Sequence, residues 1–326
     1  MELTSYFETF EGKRILVLGD VMLDSYIRGK VSRVSPEAPV PIVHLESRED
    51  RLGGAANVAL NLVALGAKPV ICSVIGDDAQ SEMLIALLKE SGISAEGVIQ
   101  SKGRKTTVKT RVIGNHQHLL RVDEEQIDPI SASEEEQLIS KVGELLTKAD
   151  GMIFEDYNKG VLTGTVIRSC SALARHHNVF TAVDPKKENF FEYVEVDLFK
   201  PNLKELKEGL GVTFEFKSNK EAFLEAVNEL ESRLNNKISL ITLSEHGVFF
   251  KEGENLKFSP AHIRNISDVS GAGDTVIAVV TLAMVSGMGI ELASKLANLA
   301  GGLVCEKIGV VPIDKDQLLA EGERLM

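Results

Sequence analysis

Apolar runs of strand length alternate with segments of helical period along most of this chain. Residues 15–19 (ILVLG), rich in β-branched side chains, read as a buried strand. Residues 54–65 carry a helical pattern, 69–75 (PVICSVI) the next strand, and 81–91 a helix stopped by Gly92. Strands are expected again at 151–154, 179–183, 197–200 and 238–243, with helices at 134–148, 164–176 and 221–235 between them. Such βαβα alternation predicts an α/β fold: a doubly wound, mostly parallel sheet with helices on both faces.

Two stretches break the rhythm. Residues 22–46 hold Tyr26, Val31, Val34, Val40, Ile42 and Val43 among three prolines, without helical period. Residues 106–123 alternate over two runs around Gly114-Asn115, a hairpin signature. Both predict strands outside the main sheet, together a small β-lid. With no linker, repeat or low-complexity tract, residues 1–326 read as one domain carrying that lid.

Composition narrows the classes of function. Hydrophobic residues at 44% and charged residues at 26% exclude a disordered chain. A net charge of −12 without a basic stripe argues against nucleic-acid binding, which needs Lys and Arg to neutralise phosphates. Cys72, Cys170 and Cys305 lie far apart with no C-x-x-C pair, so free thiols are expected rather than a disulfide frame or zinc site. No apolar run approaches a membrane span, and the amino terminus lacks a signal-like apolar core. The expected location is the cytoplasm, with no membrane partner.

The sharpest chemical feature is Asp268-Val-Ser-Gly-Ala-Gly-Asp274-Thr275 before the apolar segment 276–285. Small residues let the backbone of Gly271, Ala272 and Gly273 approach a ligand. The helix that follows aims free N–H groups at it, an anion hole for a transferring phosphoryl group. Asp274 at that mouth could accept the proton of an attacking hydroxyl. Read locally, it could equally be an N-cap. There is no G-x-x-x-x-G-K-[ST] P-loop, and no G-x-G-x-x-G follows the first strand.

Gly53-Gly54-Ala-Ala-Asn57 opens a helix: the glycines permit close approach or tight packing, and Asn57 can donate and accept towards sugar hydroxyls. Asp20 and Asp24 follow the first strand, where carboxylates suit a polyol; turn chemistry stands beside that reading for Asp20. Strand-end fragments Asp156-Tyr-Asn-Lys159-Gly160, Asp184-Pro-Lys186 and Lys200-Pro-Asn202-x-x-Glu205 add Lys159 and Lys186 as phosphate contacts, and Asn202 with Glu205 near hydrated Mg²⁺. Taken one at a time, each also reads as a solvated loop. His116 with His118, and His176 with His177, lack a third ligand of suitable spacing and read as surface histidines.

These elements, in this order, resemble the ribokinase-like, or phosphofructokinase-B, family of carbohydrate kinases across essentially the whole chain. The resemblance implies Asp274 as base and the Gly271–Gly273 backbone as anion hole. It implies Asp24, Gly53, Gly54 and Asn57 as sugar contacts, and Lys159, Lys186 and Arg111 among the cations of the substrate site. Asn202, Glu205, Thr242, Ser244, Gly247 and Asn298 fall to the nucleotide side, with Glu205 touching Mg²⁺ through water. ATP and Mg²⁺ are the implied cofactors, Asp268 is a candidate contact for a monovalent cation, and a homodimer through the lid is implied.

Within the family, GDVMLD (19–24), SRVSPEAPVP (32–41), LGGAANVALNLVALGA (52–67), DYNKG (156–160), DPK (184–186) and DVSGAGDT (268–275) are similar to bacterial D-glycero-β-D-manno-heptose 7-phosphate kinases. That likeness implies phosphorylation of the anomeric O1 in ADP-heptose synthesis, with Arg33, Lys109, Arg111, Arg121, Lys159 and Lys186 as candidates for the 7-phosphate. Because the sequence leaves no room for a nucleotidyltransferase after Met326, adenylyl transfer is expected from a separate protein. Alternatives are a family kinase for another sugar or sugar phosphate such as fructose 6-phosphate or ribose, a non-catalytic sugar- or nucleotide-binding regulator, and an NAD-binding dehydrogenase.

Overall fold

Burial on both faces decides the main architecture. In the computed structural model, which describes residues 2–326, strand β1 (Arg14–Gly19) sends Ile15 and Val17 into one core and Leu16 and Leu18 into another. Side chains alternate across a strand, and only a sheet covered by helices on both sides buries such a run. Helix α1 (Leu3–Thr9) precedes β1. Two long strands follow, β2 (Val21–Val34) and β3 (Pro41–Gly54). Next come α2 (Ala55–Ala64), β4 (Lys68–Gly76), α3 (Ala79–Glu90) and β5 (Ser94–Ser101). The hairpin β6 (Val108–Gly114) and β7 (Gln117–Glu124) leads to α4 (Ala132–Leu146), β8 (Gly151–Glu155), α5 (Gly164–His176) and β9 (Phe180–Asp184). Then β10 (Leu198–Phe199), α6 (Leu203–Leu210), α7 (Lys220–Leu234) and β11 (Ile238–Thr242) precede the edge pair β12 (Val248–Glu252) and β13 (Asn255–Ser259). Helices α8 (Ala272–Val285), α9 (Ile290–Val304) and α10 (Lys315–Leu325) close the chain.

Nine strands form the large sheet, in the order β13-β12-β11-β10-β9-β8-β1-β4-β5. All neighbours are parallel except the antiparallel pairs β11–β12 and β12–β13. Winding runs outward from β1 through β4 and β5, then returns to β8 and proceeds the other way, so the order reverses between β1 and β8. Open α/β sheets bind ligands at such a reversal, beyond the carboxyl ends of the strands. Helices α2, α8 and α9 supply Val58, Ile277 and Leu296 to one core; α4, α5 and α7 supply Leu138, Ile167 and Leu230 to the other.

A second sheet of four strands, β3-β2-β6-β7, projects from this body. Its strands lie where 22–46 and 106–123 predicted them, but the bounds are wider: β2 and β3 run from 21 to 54 and reach the start of α2. The β6–β7 hairpin turns through Asn115 (φ 49°) and His116 (φ 65°), one residue later than Gly114-Asn115. Both central residues have positive φ, as a type I′ hairpin requires. The sequence pattern did not disclose β5, β12 or β13, whose strands are short and in part polar. No helix among the described residues is long and apolar enough to cross a membrane.

Candidate active site

Asp274 is not an N-cap. Gly271, in the left-handed region at φ 79°, holds that place, and Asp274 occupies the third position of α8. No side chain caps this helix; the Ala272 amide donates to Val269 O at 3.4 Å, and the next first-turn amides keep their capacity for an anion. Gly271 is needed sterically as well: a Cβ there would stand 2.9 Å from Val310 Cγ1. The Asp274 carboxylate, 6% exposed, accepts from the Tyr157 phenol at 3.0 and 3.2 Å. Burial, then the charge of Asp184, pushes its pKa up to about 6, against the lowering influence of Tyr157, Lys200 and the Asn57 side chain. Two of the positions named from sequence, Asn57 and Asp274, thus meet on one carboxylate.

Register brings further acids to the same place. Glu155 lies opposite both Gly19 of β1 and Asp184 of β9, so β8 and β9 end side by side. Oxygens of Glu155, Asp184 and Asp274 lie within 4.8 Å of one another, all three residues buried. Lys200 Nζ sits 2.7 Å from Asp184 Oδ2, and Lys186 Nζ donates at 2.7 Å to Glu205 Oε1 while lying 5.9 Å from the centre of the Tyr157 ring. Burial opposes the charge on both ammoniums, yet Asp184 and Glu205 hold their pKa values above the ordinary lysine range. Tyr157 and Glu155 carried no signal of their own: one was part of a loop fragment, the other the last residue of an apolar strand.

Asp20 braces a distant loop rather than its own turn. Its buried carboxylate accepts the backbone N–H groups of Tyr157, Lys159 and Val161, each at 3.1 Å, and so moors the loop that carries Tyr157. Its backbone carbonyl would meet a Cβ on Gly54 at 2.3 Å, and Gly54 has φ 61°, so that position tolerates only glycine. A Cβ on Gly53 would stand 2.7 Å from Asp24 Oδ2. Asp24 also pairs with Arg111, joining the second pair of sequence-named residues.

The remaining cations divide. Lys159 and Lys109 both bind Glu125, at 2.9 and 3.1 Å, which closes the smaller sheet onto the 157–161 loop. Arg33 is exposed, nine residues beyond Asp24 on β2, outside this cluster. Arg121 pairs with Asp123 and is largely solvated. Arg28 and Arg51, not singled out by sequence, join Arg111 around the Tyr26 ring at 5.1 to 5.3 Å.

On the opposite side, Asn202 and Glu205 form a capping box on α6, with Glu205 Oε2 accepting from the Asn202 N–H at 2.8 Å. With Oε1 on Lys186, Glu205 reaches a hydrated Mg²⁺ only by sharing that oxygen. Asn202 bridges Thr242, and Ser244 lies with Asn202 on one surface depression. Gly247 would place a Cβ 2.1 Å from Ser259 O, and Asn298 donates to Pro260 O at 2.8 Å, so both bear on the 259–261 segment. Asp268 accepts from Ser270 N, Ser270 Oγ and Gly309 N, oxygens thereby occupied in bracing the loop before α8. Among the described residues the histidines join no cluster of metal-ligating groups.

A family match, pfkB family carbohydrate kinase, spans residues 13–316. The chain is 40% identical over 297 residues to a Helicobacter pylori protein named bifunctional protein HldE, covering 91% of this chain and 64% of the relative. A Methylobacillus flagellatus protein of the same name is 40% identical over 308 residues, covering 94% and 62%. The chain thus spans less than two thirds of these relatives, and their bifunctional name gives no support to a separate nucleotidyltransferase. In fold it is similar to Arabidopsis thaliana ribokinase complexed with ribose and ATP, at TM-score 0.71 and 17% identity over 97% of this chain and all of that one. Escherichia coli phosphofructokinase-2 in complex with potassium superposes at TM-score 0.75 and 20% identity, over 96% and 100%.

Proposed function

Since the chain belongs to the pfkB family of carbohydrate kinases, we propose that it transfers the γ-phosphate of ATP to O1 of D-glycero-β-D-manno-heptose 7-phosphate. The observation that carries this reading is Asp274: a buried carboxylate at the mouth of an uncapped helix, oriented by Tyr157 and raised to about 6. A base of that pKa is ionised at neutral pH yet still accepts a proton readily. Asp274 takes the proton of the sugar O1 as that oxygen bonds to the γ-phosphorus and the bond to ADP breaks. The first-turn amides of α8 receive the charge spread over the transferring oxygens. Glu205 with Lys186 would hold the phosphate end of the nucleotide, where magnesium bound with ATP would supply neutralisation of phosphate charge.

Asp24, Gly53, Gly54 and Asn57 would seat the sugar, with the smaller sheet as its lid. That sheet's inner face, carrying Arg28, Arg51 and Arg111, favours a sugar that is already phosphorylated. Its outer face shows Leu45 at 65% and Leu120 at 58% exposure beside Leu119 and Val122, which supports a homodimer closed through the lid. ATP as donor and three free buried thiols fit the cytoplasm.

Coupled ADP-release assays over a panel of sugar phosphates test the reading. Turnover is expected with the heptose 7-phosphate, and product carrying a phosphate at O1. Strong turnover with fructose 6-phosphate or ribose and none with the heptose would overturn the substrate assignment.

A further inference from the structure

Helix α2 carries Asn57 and α8 carries Asp274, and one buried side chain spans the two. Asn61, 2% exposed, sits one turn after Asn57 in a stretch where Val58, Ala59 and Leu62 are fully buried. Its Nδ2 donates to the Asn57 carbonyl at 2.9 Å. Its Oδ1 accepts from the Thr275 hydroxyl at 3.1 Å and from the Ile313 N–H at 3.0 Å. A backbone N–H can only donate, so Ile313 fixes which end of the amide is oxygen. Thr275 is itself fully buried and directly follows Asp274.

Leucine has nearly the shape of asparagine and would cost less to bury in so apolar a place. What the amide adds is direction, because a fully satisfied buried hydrogen-bond network specifies one arrangement where apolar contacts tolerate sliding. Its three partners belong to three separate segments: the first turn of α2, the first turn of α8, and the chain before α10. That last segment also braces the loop before α8, since Gly309 N donates to Asp268 Oδ2 at 3.0 Å and Val310 packs against Gly271. The Asn57 side chain in turn bonds the Asp274 carboxylate, while its own Oδ1 has no partner among the described residues. Any slip of α2 along α8 therefore reaches the carboxylate through Asn57.

We propose that Asn61 is a positioning residue: by holding the Asn57 main chain and the Thr275 hydroxyl at once, it sets the sugar-side helix against the base. It touches no substrate and acts only through Asn57 and Thr275. The effect on turnover rests on the kinase reading; the placement of the carboxylate does not. Tyr157, Glu155, Asp184 and Lys200 are the other titratable groups facing Asp274. None of these four bonds Asn61 or Thr275, so a change at Asn61 or Thr275 leaves them in place.

A carboxyl ¹³C titration of the ligand-free full chain tests this, with the Asp274 signal identified by its absence in Asp274→Asn. The hydrogen bond from Asn57 favours the ionised carboxylate, so loosening it moves the Asp274 midpoint up. Asn61→Leu and the milder Thr275→Val should each raise it by about half a pH unit and lower kcat about tenfold, with KM for ATP unchanged. Thr275→Ser, which keeps the hydroxyl, should leave both as they are. In an Asn57→Ala background neither change should move the midpoint further, because the path to the carboxylate is already cut. Melting curves show which variants are folded; should Asn61→Leu not fold, Thr275→Val carries the test. An unshifted midpoint in folded Thr275→Val overturns the proposal, and so does a shift of equal size in the Asn57→Ala background. The titration needs no substrate, so it decides the placement of the base whatever sugar is turned over, and absence of turnover by the unaltered chain counts against the kinase reading alone.

Discussion

The two sheets of this protein are stabilised in opposite ways. Strand β1 is buried on both faces, and its neighbours β4 and β8 are buried almost throughout. In the smaller sheet β7 is exposed along its whole length, and much of β3 with it. The large sheet is held by two apolar cores and places Asp274, Glu155 and Asp184 rigidly at its strand ends. The smaller sheet is held by main-chain ladders and by ion pairs such as Lys109–Asp123 and Lys109–Glu125, and turns guanidinium groups towards that same mouth. In the proposed reading, chemistry sits on the part that cannot move cheaply, and recognition on the part that can.

The largest effect expected on the rigid side is from Asp274→Asn. Loss of the base should lower kcat by about 10²- to 10⁴-fold, measured by ADP release at saturating substrates. The same change should stabilise the fold. A carboxyl raised from 3.8 to about 6 contributes stability below its unfolded pKa and loses it as pH rises through the folded one. Asp274→Asn should therefore raise the Tm more at pH 8 than at pH 5, and unaltered enzyme should gain kcat/KM as pH rises through about 6. Ile153→Ala comes next: truncating a fully buried β8 side chain should cost about 2–5 kcal/mol in urea unfolding.

On the smaller sheet Arg111→Met should lower the Tm, because it leaves the buried Asp24 carboxylate unpaired, and raise KM for a phosphorylated sugar about tenfold, with kcat less affected, as expected for loss of one charged contact of ~1.4 kcal/mol. Equal loss for phosphorylated and plain sugars would detach Arg111 from phosphate recognition. Least of all, Leu120→Lys should change unfolding of the single chain by no more than about 0.5 kcal/mol. Its readout is the association state by sedimentation, where a shift to monomer is expected.

This contrast also explains what was legible in the sequence. The parallel strands announced themselves because double-sided burial writes continuous apolar runs, as in ILVLG and GMIFE. Charged β12 and half-exposed β5 wrote no such run. At the site, Asp274 stood out through Gly271-Ala-Gly, but what orients its carboxylate is Tyr157, 117 residues away in the chain, and Asn57, farther still. Neither distance leaves a local mark. Arg33 and Lys159 are credible phosphate contacts by residue type; the fold leaves Arg33 exposed nine residues beyond Asp24 on β2 and pairs Lys159 with Glu125. Conversely, Arg28 and Arg51 acquire meaning only once β2, β3 and β6 bring them around Tyr26.

The distribution of phenols has a practical consequence. The chain has no tryptophan and four tyrosines, of which Tyr157 donates to Asp274, Tyr193 to Asp156, and Tyr26 lies among the lid arginines. Tyr193 is fully buried in a core and Tyr6 lies in α1, so two of the four phenols, Tyr157 and Tyr26, stand beside the candidate site residues. Near-ultraviolet absorption and emission of this protein therefore carry no indole background, and changes in them on adding sugar or nucleotide are an unlabelled optical gauge of those two rings.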